Sequence, residues 1–317
     1  MRTYLDFEKT LAEIEDQIAE VRALARDGEE MPIDDDLKRL AARASDALGV
    51  LYSAVSPWQK TQVARHPERP HFSDYAKVLL EEVTPLAGDR RFAEDHAIIG
   101  GPARFRGRPV MAIGHEKGSN TEARLKHNFG MARPEGYRKA ARLMDTAHRF
   151  GLPMISIVDT AGAYPGIGAE QRGQAEAIAR CTQACLNAKV PFVSVIIGEG
   201  GSGGAVAIAS ANNVLMLEHA IYAVASPEAS ASILWRDSAR AKDAADTMKI
   251  TAQDLLNFGI IDTIVPEPVG GAHREPVRTV VETGNAIEAA LAAMEGKSGD
   301  ELVEERRNKF LEIGRQL

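Results

Sequence analysis

This sequence predicts an α/β fold built around a parallel sheet, and three observations carry that expectation. Residues 154–160 (Met-Ile-Ser-Ile-Val-Asp-Thr) form a continuous apolar run of strand length that enters the glycine-bearing loop 161–168. Residues 190–197 form a second such run and enter Gly198-Glu-Gly-Gly-Ser-Gly-Gly204. Each loop is followed by helix-like sequence, and strand-like and helix-like segments alternate from about Glu82 to Pro266. Two successive strand, glycine-loop, helix units place both loops at the carboxyl edge of one sheet, where open α/β folds bind ligands.

The elements follow in chain order. Leu11, Ile14, Ile18 and Val21 recur at alternating spacings of three and four, as do Leu37, Leu40, Ala44, Ala47 and Leu51, with Gly28 and Pro32 between the two sets. This pattern predicts a helical hairpin whose narrow apolar stripes suit another helix or subunit. Asp34, Asp35 and Asp36 complement the dipole at the start of its second helix. Residues 97–99 and 110–113 read as neighbouring strands joined through Gly107-Arg108-Pro109. A helix over 134–150 is stopped by Gly151 and Pro153, and one helix is expected from about 169 to 187. Further strands are expected at 214–217, 221–224 and 260–265. Thr251 and Asp254 frame a short helix that Gly259 ends. The tail from 275 to 317 reads as helical and charged, with Arg306-Arg307-Asn308-Lys309 on a solvated face.

Composition narrows the function classes. A chain of 317 residues with 44% hydrophobic content and a formal charge of −7 suits one large domain with accessories, and its acidity disfavours generic nucleic-acid binding. The longest apolar runs are strand-length and residues 1–9 lack the core of a signal peptide, so no membrane association and a cytoplasmic location are expected. Cys181 and Cys185 share one helix face without nearby His or acid partners, which points to core packing. The eight histidines fall into neither H-x-x-H nor H-E-x-x-H spacing, so no metal site is expected.

Several anions suit the second glycine cluster. Gly198, Gly200 and Gly203 match G-x-G-x-x-G, and Glu218 follows about 20 residues on, where a ribose-binding acid of a nicotinamide-dependent dehydrogenase sits. Against that reading, the fingerprint normally opens its domain, whereas several elements precede it here. A phosphate loop is disfavoured because no Lys-Ser or Lys-Thr follows the glycines. The remaining options are an oxyanion hole made by adjacent backbone amides and a purely structural turn.

Asn128-Phe-Gly-Met131, Pro134-Glu-Gly-Tyr-Arg-Lys-Ala140, Gly162-Ala-Tyr-Pro-Gly166, Gly168-Ala-Glu170, the run from Gly198 to Gly204, Ser230-Ala-Ser-Ile-Leu-Trp235 and Pro266-Glu-Pro-Val-Gly-Gly-Ala-His-Arg274 occur in this order. Together with Ala64-Arg-His-Pro67 and Leu86-Ala-Gly-Asp-Arg90, they make the chain resemble the α subunit of the bacterial acetyl-CoA carboxylase carboxyltransferase over nearly its whole length. One departure is Ala161, where the family pattern usually reads Asp-Thr-Pro-Gly. The resemblance implies a crotonase-like β-β-α superhelix. It divides the chain into an N-terminal helical region (1–81), a carboxyltransferase core (82–266) and a C-terminal helical tail (267–317).

The resemblance also implies a chemistry: carboxyl transfer from carboxybiotin on the biotin carboxyl carrier protein to acetyl-CoA, giving malonyl-CoA for fatty acid biosynthesis. No tightly bound cofactor is expected on this chain. The implied partners are a zinc-containing β subunit in an α2β2 assembly and biotin carboxylase. Gly200 and Gly201 are the expected oxyanion donors, facing biotin. Lys117 is the expected cation for the transferred carboxylate, with Gly162, Ala163 and Tyr164 lining the crevice. Tyr164 closing a turn and Lys117 lying at the surface are the competing structural readings. A non-catalytic scaffold is the alternative function, since half a site does not turn over alone.

Overall fold

The computed structural model describes residues 2–26 and 33–315. Eight strands form one sheet: β1 (Leu80–Glu81), β2 (Ile98–Phe105), β3 (Arg108–His115), β4 (Met154–Thr160), β5 (Phe192–Gly201), β6 (Asn213–Leu217), β7 (Ile221–Ala223) and β8 (Thr263–Val265). Their order is β1-β2-β3-β4-β5-β6-β8, with β7 paired to the far end of β5. β2 and β3 are an antiparallel hairpin turned at Arg106 and Gly107, both at positive φ. From β3 onward every pairing is parallel. Parallel strands are covered on both faces, which is why β4 is buried along its whole length and reads as an unbroken apolar run.

Fourteen α-helices surround the sheet among the described residues. The expected hairpin is α1 (Lys9–Arg26) and α2 (Ile33–Tyr52), with Leu11, Ile14, Ile18 and Ala44 forming its own small core. The linking Gly28 and Pro32 and the Asp34 side chain lie outside the described residues. The hairpin is fastened by Arg274, whose guanidinium reaches Glu8 at 3.4 Å and Glu15 at 2.8 Å, while the Tyr52 hydroxyl donates to Glu8 at 2.9 Å. Ser56 and Pro57 start α3 (Pro57–Ala64), and α4 (Phe72–Leu79) sends Phe72 and Tyr75 into the main core. α5 (Thr121–Lys126) precedes α6 (Pro134–Phe150), which has proline in its first turn and left-handed Gly151 as its stop.

The single helix expected over 169–187 is two: α7 (Ile167–Gln171) and α8 (Gln174–Asn187). The break has a tertiary cause. Arg172 leaves the helical path for the buried Glu135 carboxylate at 2.6 Å, Gly173 turns left-handed, and the Gln174 amide donates to the Ala132 and Tyr164 carbonyls. Then come α9 (Ser202–Ala209), α10 (Pro227–Trp235), α11 (Ala241–Met248), and α12 (Ala252–Asn257) with its Thr251–Asp254 capping box. β8 begins later than the expected residue 260. Ile260 N–H closes α12 on Leu255 O, and at Asp262 the backbone N–H donates to Val214 O while the side-chain carboxylate, not a backbone carbonyl, accepts from Val214 N–H. None of the helices among the described residues is long and apolar enough to cross a membrane.

Alternation along β4 sorts the two layers. Ile155 and Ile157 line one seam with Phe72 and Tyr75 of α4 and Ile287 of α13 (Pro276–Ala292). Ser156, between them, faces the opposite side, where its hydroxyl donates to Ile208 O of α9 at 2.6 Å. Cys181 and Cys185 are fully buried on α8, and burial pushes the Cys185 thiol up to about 12, as core packing predicts.

The last helix, α14 (Gly299–Glu312), corrects the reading of a solvated basic run. Arg306 is fully buried and donates to the carbonyls of Cys185 (2.7 Å), Leu186 (3.3 Å), Ala188 (2.9 Å) and Val190 (3.3 Å), and to Asn212. These carbonyls end α8 and lead into β5, so one guanidinium caps a helix terminus without a carboxylate partner among the described residues. Lys309 beside it pairs with Asp262. Burial pulls the Arg306 guanidinium down to about 10. Arg306→Ala leaves these acceptors unpaired in the interior, and we expect it to lower unfolding free energy by about 3 kcal/mol in urea titration. Arg306→Lys should recover less than half, because one ammonium cannot span the fork. A loss below about 1 kcal/mol would contradict the capping role.

Candidate active site

The carboxyl ends of β3, β4 and β5 deliver Lys117, Asp159 and Glu199 to one cleft of ≈220 Å³, roofed by Arg65, His66 and Pro67 from the end of α3 and flanked by Arg124, Phe129 and Met131. Its geometry begins with an irregularity in the sheet. Val158 pairs with Ile196 and Thr160 with Gly200, so two residues of advance on β4 meet four on β5. The extra residues bulge, and Asp159 fills the gap: its Oδ1 accepts from Glu199 N–H at 2.9 Å. A Cβ on Gly198 would lie 2.5 Å from that same oxygen, which accounts for the glycine there.

The bulge turns the Glu199 side chain into the cleft, where charges interlock. Lys117 Nζ lies 2.7 Å from Asp159 Oδ1 and 3.0 Å from Glu199 Oε2. Arg65 Nε reaches Glu199 Oε1 at 2.7 Å, and its Nη1 reaches Glu228 on α10 at 2.6 Å. Burial by itself would raise the Glu199 carboxyl. The Lys117 and Arg65 charges outweigh it and draw the group down to about 2. Burial would likewise lower the Lys117 ammonium, but Asp159 and Glu199 hold it above its ordinary value. Lys117 is therefore a largely buried, doubly paired cation and not a surface lysine.

A second buried pair braces β5 from below. Arg69 Nε donates to Ile197 O at 2.6 Å, just before the bulge, and its fork grips Glu267 at 2.8 and 2.5 Å. Glu267 also accepts from the backbone N–H of His219 and Ala272, and Arg69 outweighs burial to bring its carboxyl to about 2. Close by, the His66 and His273 rings stack at 3.7 Å, and burial lowers His273 to about 3. His115, fully buried at the end of β3, is lowered to about 3, first by burial and then by Lys117.

The two glycine loops touch. A Cβ on Gly201 would strike the Ala161 carbonyl, and one on Gly204 would sit 2.7 Å from Gly162 C and 2.9 Å from Ala163 N. Gly200 carries β5 between Thr160 and Tyr222, and Gly201 is the residue before α9, which Ser202 opens with φ +52°. Close packing thus already requires glycine at these positions, and an alanine at 201 would disturb the loop contact. Gly162 N–H donates to Thr160 Oγ1 at 3.1 Å, and the Gly162 carbonyl accepts from that hydroxyl at 2.8 Å. The loop reaches the cleft through Ala161, with Gly162, Ala163 and Tyr164 following on it. Tyr164 ties the loop to the stretch before α6: its N–H donates to Ala132 O, its ring lies over Gly166, and the Arg133 guanidinium sits 4.8 Å from the ring centroid.

The dinucleotide reading does not survive this geometry. Glu218, placed for a ribose, spends its carboxylate on Glu267 N–H at 3.1 Å, and the fingerprint glycines Gly198 and Gly200 abut Asp159 and Tyr222. Arg65, Asp159 and Glu199 went unassigned in the sequence. The available signal was an acid at the end of each of two otherwise apolar strands.

Residues 4–314 match a family described as acetyl co-enzyme A carboxylase carboxyltransferase-like. The chain is 64% identical over 317 residues to the acetyl-coenzyme A carboxylase carboxyl transferase subunit alpha of Xanthobacter autotrophicus, covering 100% of both. It is 65% identical over 318 residues to the protein of that name in Methylobacterium nodulans, again covering 100% of both. Among solved structures, a 12S transcarboxylase core aligns at TM-score 0.58 and 19% identity over 72% of this chain and 42% of that one. A Pseudomonas malonate decarboxylase hetero-tetramer with coenzyme A aligns at TM-score 0.57 and 18% identity, over 70% and 89%. At under 25% identity these two likenesses bear on the fold, which is the crotonase-like one expected.

Lys117→Met leaves the buried Asp159 carboxylate without a cation and Glu199 with Arg65 alone, and we expect it to cost about 3–5 kcal/mol of stability at neutral pH in urea titration. A cost under about 1 kcal/mol would contradict the pairing. For the native chain the sign of the pH dependence follows from the depressed groups. Glu199 and Glu267 stabilise fully above their ordinary 4.5 and lose that contribution as pH falls toward about 2. Neutral His115 and His273 stabilise fully above 6.5 and lose it toward about 3. The urea midpoint should therefore fall steadily as pH is lowered from 6.5 to 3, and a flat profile would count against these burials.

Proposed function

The chain belongs to the acetyl-CoA carboxylase carboxyltransferase α-subunit family, and from that premise we propose how its own residues serve carboxyl transfer. In the proposed reaction the N–C bond of carboxybiotin breaks, and the ureido nitrogen takes a proton from the acetyl-CoA methyl group. N–C cleavage leaves its electron pair on the ureido nitrogen and releases CO2, and the enolate carbon adds to that CO2 to form the new C–C bond and the carboxylate of malonyl-CoA. Carboxybiotin arrives on the biotin carboxyl carrier protein, charged by biotin carboxylase, and the work is done in the cytoplasm without a cofactor resident on this chain.

Negative charge on the ureido oxygen is the hard part, and Gly200 and Gly201 are the proposed donors. What supports them is position: they end β5 immediately before α9, where backbone N–H groups and the helix dipole favour an anion. Lys117 supplies the positive field for the carboxyl group, shared with Asp159 and Glu199 and so fixed in place. Gly162, Ala163 and Tyr164 carry the facing loop that shapes the crevice. The enolate oxygen needs its own donors, and in this reading a zinc-containing β subunit provides them within an α2β2 assembly.

The observation that carries the reading is that a family match spanning residues 4–314 coincides with two touching glycine loops beside one ionic cleft. We expect no malonyl-CoA from this chain alone or from the β subunit alone, and formation when the two are combined. Transfer by this chain alone would contradict the divided site. Transfer by β alone at the rate of the complex would make this chain a scaffold.

A further inference from the structure

Asn128, Phe129 and Gly130 adopt φ of +51°, +55° and +76° in succession. The left-handed region is sparsely occupied by residues bearing a Cβ, and an aromatic there is held by its surroundings. Those surroundings are explicit. Gly130 N–H donates to His127 O at 3.0 Å, Met131 N–H to Asn128 O at 2.9 Å, and the Asn128 amide to Met131 O at 2.7 Å. Gly130 is also pressed onto the ionic centre: a Cβ there would lie 2.8 Å from Asp159 O and 2.9 Å from Lys117 Cγ. The product of this constrained turn is a phenyl ring that lines the cleft mouth and stays 46% exposed. Burial does not explain so costly a backbone; presentation of the ring does.

The rest of the wall indicates what the ring meets. Arg65, Arg69 and Lys117 all hold carboxylates, whereas Arg124, among the described residues, makes only a bond from Nε to Gly118 O at 3.3 Å. The cleft thus combines a flat aromatic face, apolar Met131 and Pro67, and a cation without an acidic partner. Its ≈220 Å³ falls below the several hundred cubic ångströms that whole cofactor-sized ligands occupy, and suits a single ring head group. We infer that Phe129 is a positioning residue for the donor, its ring packing against the fused ureido ring system of carboxybiotin while Arg124 faces the carboxylate. This rests on the carboxyl-transfer reading and adds to it the part of the cleft that recognises the biotin head.

The test uses the assembled α–β complex in the reverse direction, with malonyl-CoA as donor and free biotin as acceptor. Phe129→Gly removes the ring and relaxes the backbone, so the turn is kept. The biotin KM should rise roughly fivefold or more, the order of a lost aromatic stacking contact, with malonyl-CoA KM and thermal midpoint near wild type. Phe129→Tyr should restore the biotin KM. Phe129→Leu, which keeps bulk but not the flat face, should behave like the glycine variant and decides the matter if that variant fails to assemble. An unchanged biotin KM, or a rise confined to malonyl-CoA, would overturn the inference. A wild-type complex that transfers nothing to biotin would instead overturn the carboxyl-transfer reading.

Discussion

The contact on which the site most depends is the Asp159 carboxylate lodged in the bulge of β5. One oxygen accepts from Glu199 N–H and from the Lys117 ammonium, so a single group fixes the extra residues of β5, the aim of Glu199 and the place of Lys117. Parallel strands of equal register would present only backbone and apolar side chains at this edge. The irregularity converts the edge into a charged cleft, and Gly198 is the steric condition for it. Taking Asp159, Glu199, Lys117 and Arg65 out of water is costly, and the arrangement persists because each charge faces an opposite one at 2.7–3.0 Å.

From this centre the order extends outward through further ion pairs. Arg65 ties Glu199 to Glu228 at the start of α10, Arg69 ties β5 to the 267–272 loop, and Arg274 in the same region ties back to Glu15 of α1. The hairpin and the C-terminal loops are therefore connected to the cleft by charge as well as by packing. The glycine loops belong to the same economy of space. They touch backbone to backbone, so glycine at 201 and 204 is required by the fold before any chemistry is asked of it. A site built this way places its amides by steric necessity, and preorganised donors of that kind do not reorganise as charge develops.

Most of the scaffold was legible because its signals are local. The 134–150 helix carries its own start and stop in Pro134 and Gly151, the Thr251–Asp254 box announces α12, and the apolar runs of β4 and β5 announce buried parallel strands. What escaped was decided by distant partners. Arg172 breaks the expected 169–187 helix to reach Glu135, the Asp262 side chain takes the Val214 N–H ahead of β8, and Arg306 leaves an apparently solvated run to cap α8. In the site, both glycine loops were visible from position and composition, whereas Lys117 was visible only through the family resemblance. Asp159 and Glu199 showed only as acids ending apolar strands and Arg65 carried no signal of its own, since nothing in a single chain reveals that residues 40 to 134 positions apart converge on one ammonium or one carboxylate.

The most direct measurement of this account is a carbon-13 NMR titration of the Glu199 side-chain carboxyl in the folded chain, assigned with Glu199→Gln. The account predicts a carboxylate that stays ionised well below 4.5, down to the pH at which the chain unfolds, because Lys117 and Arg65 hold it near 2. A Glu199 carboxyl that titrates near 4.5 while the protein is still folded would contradict it.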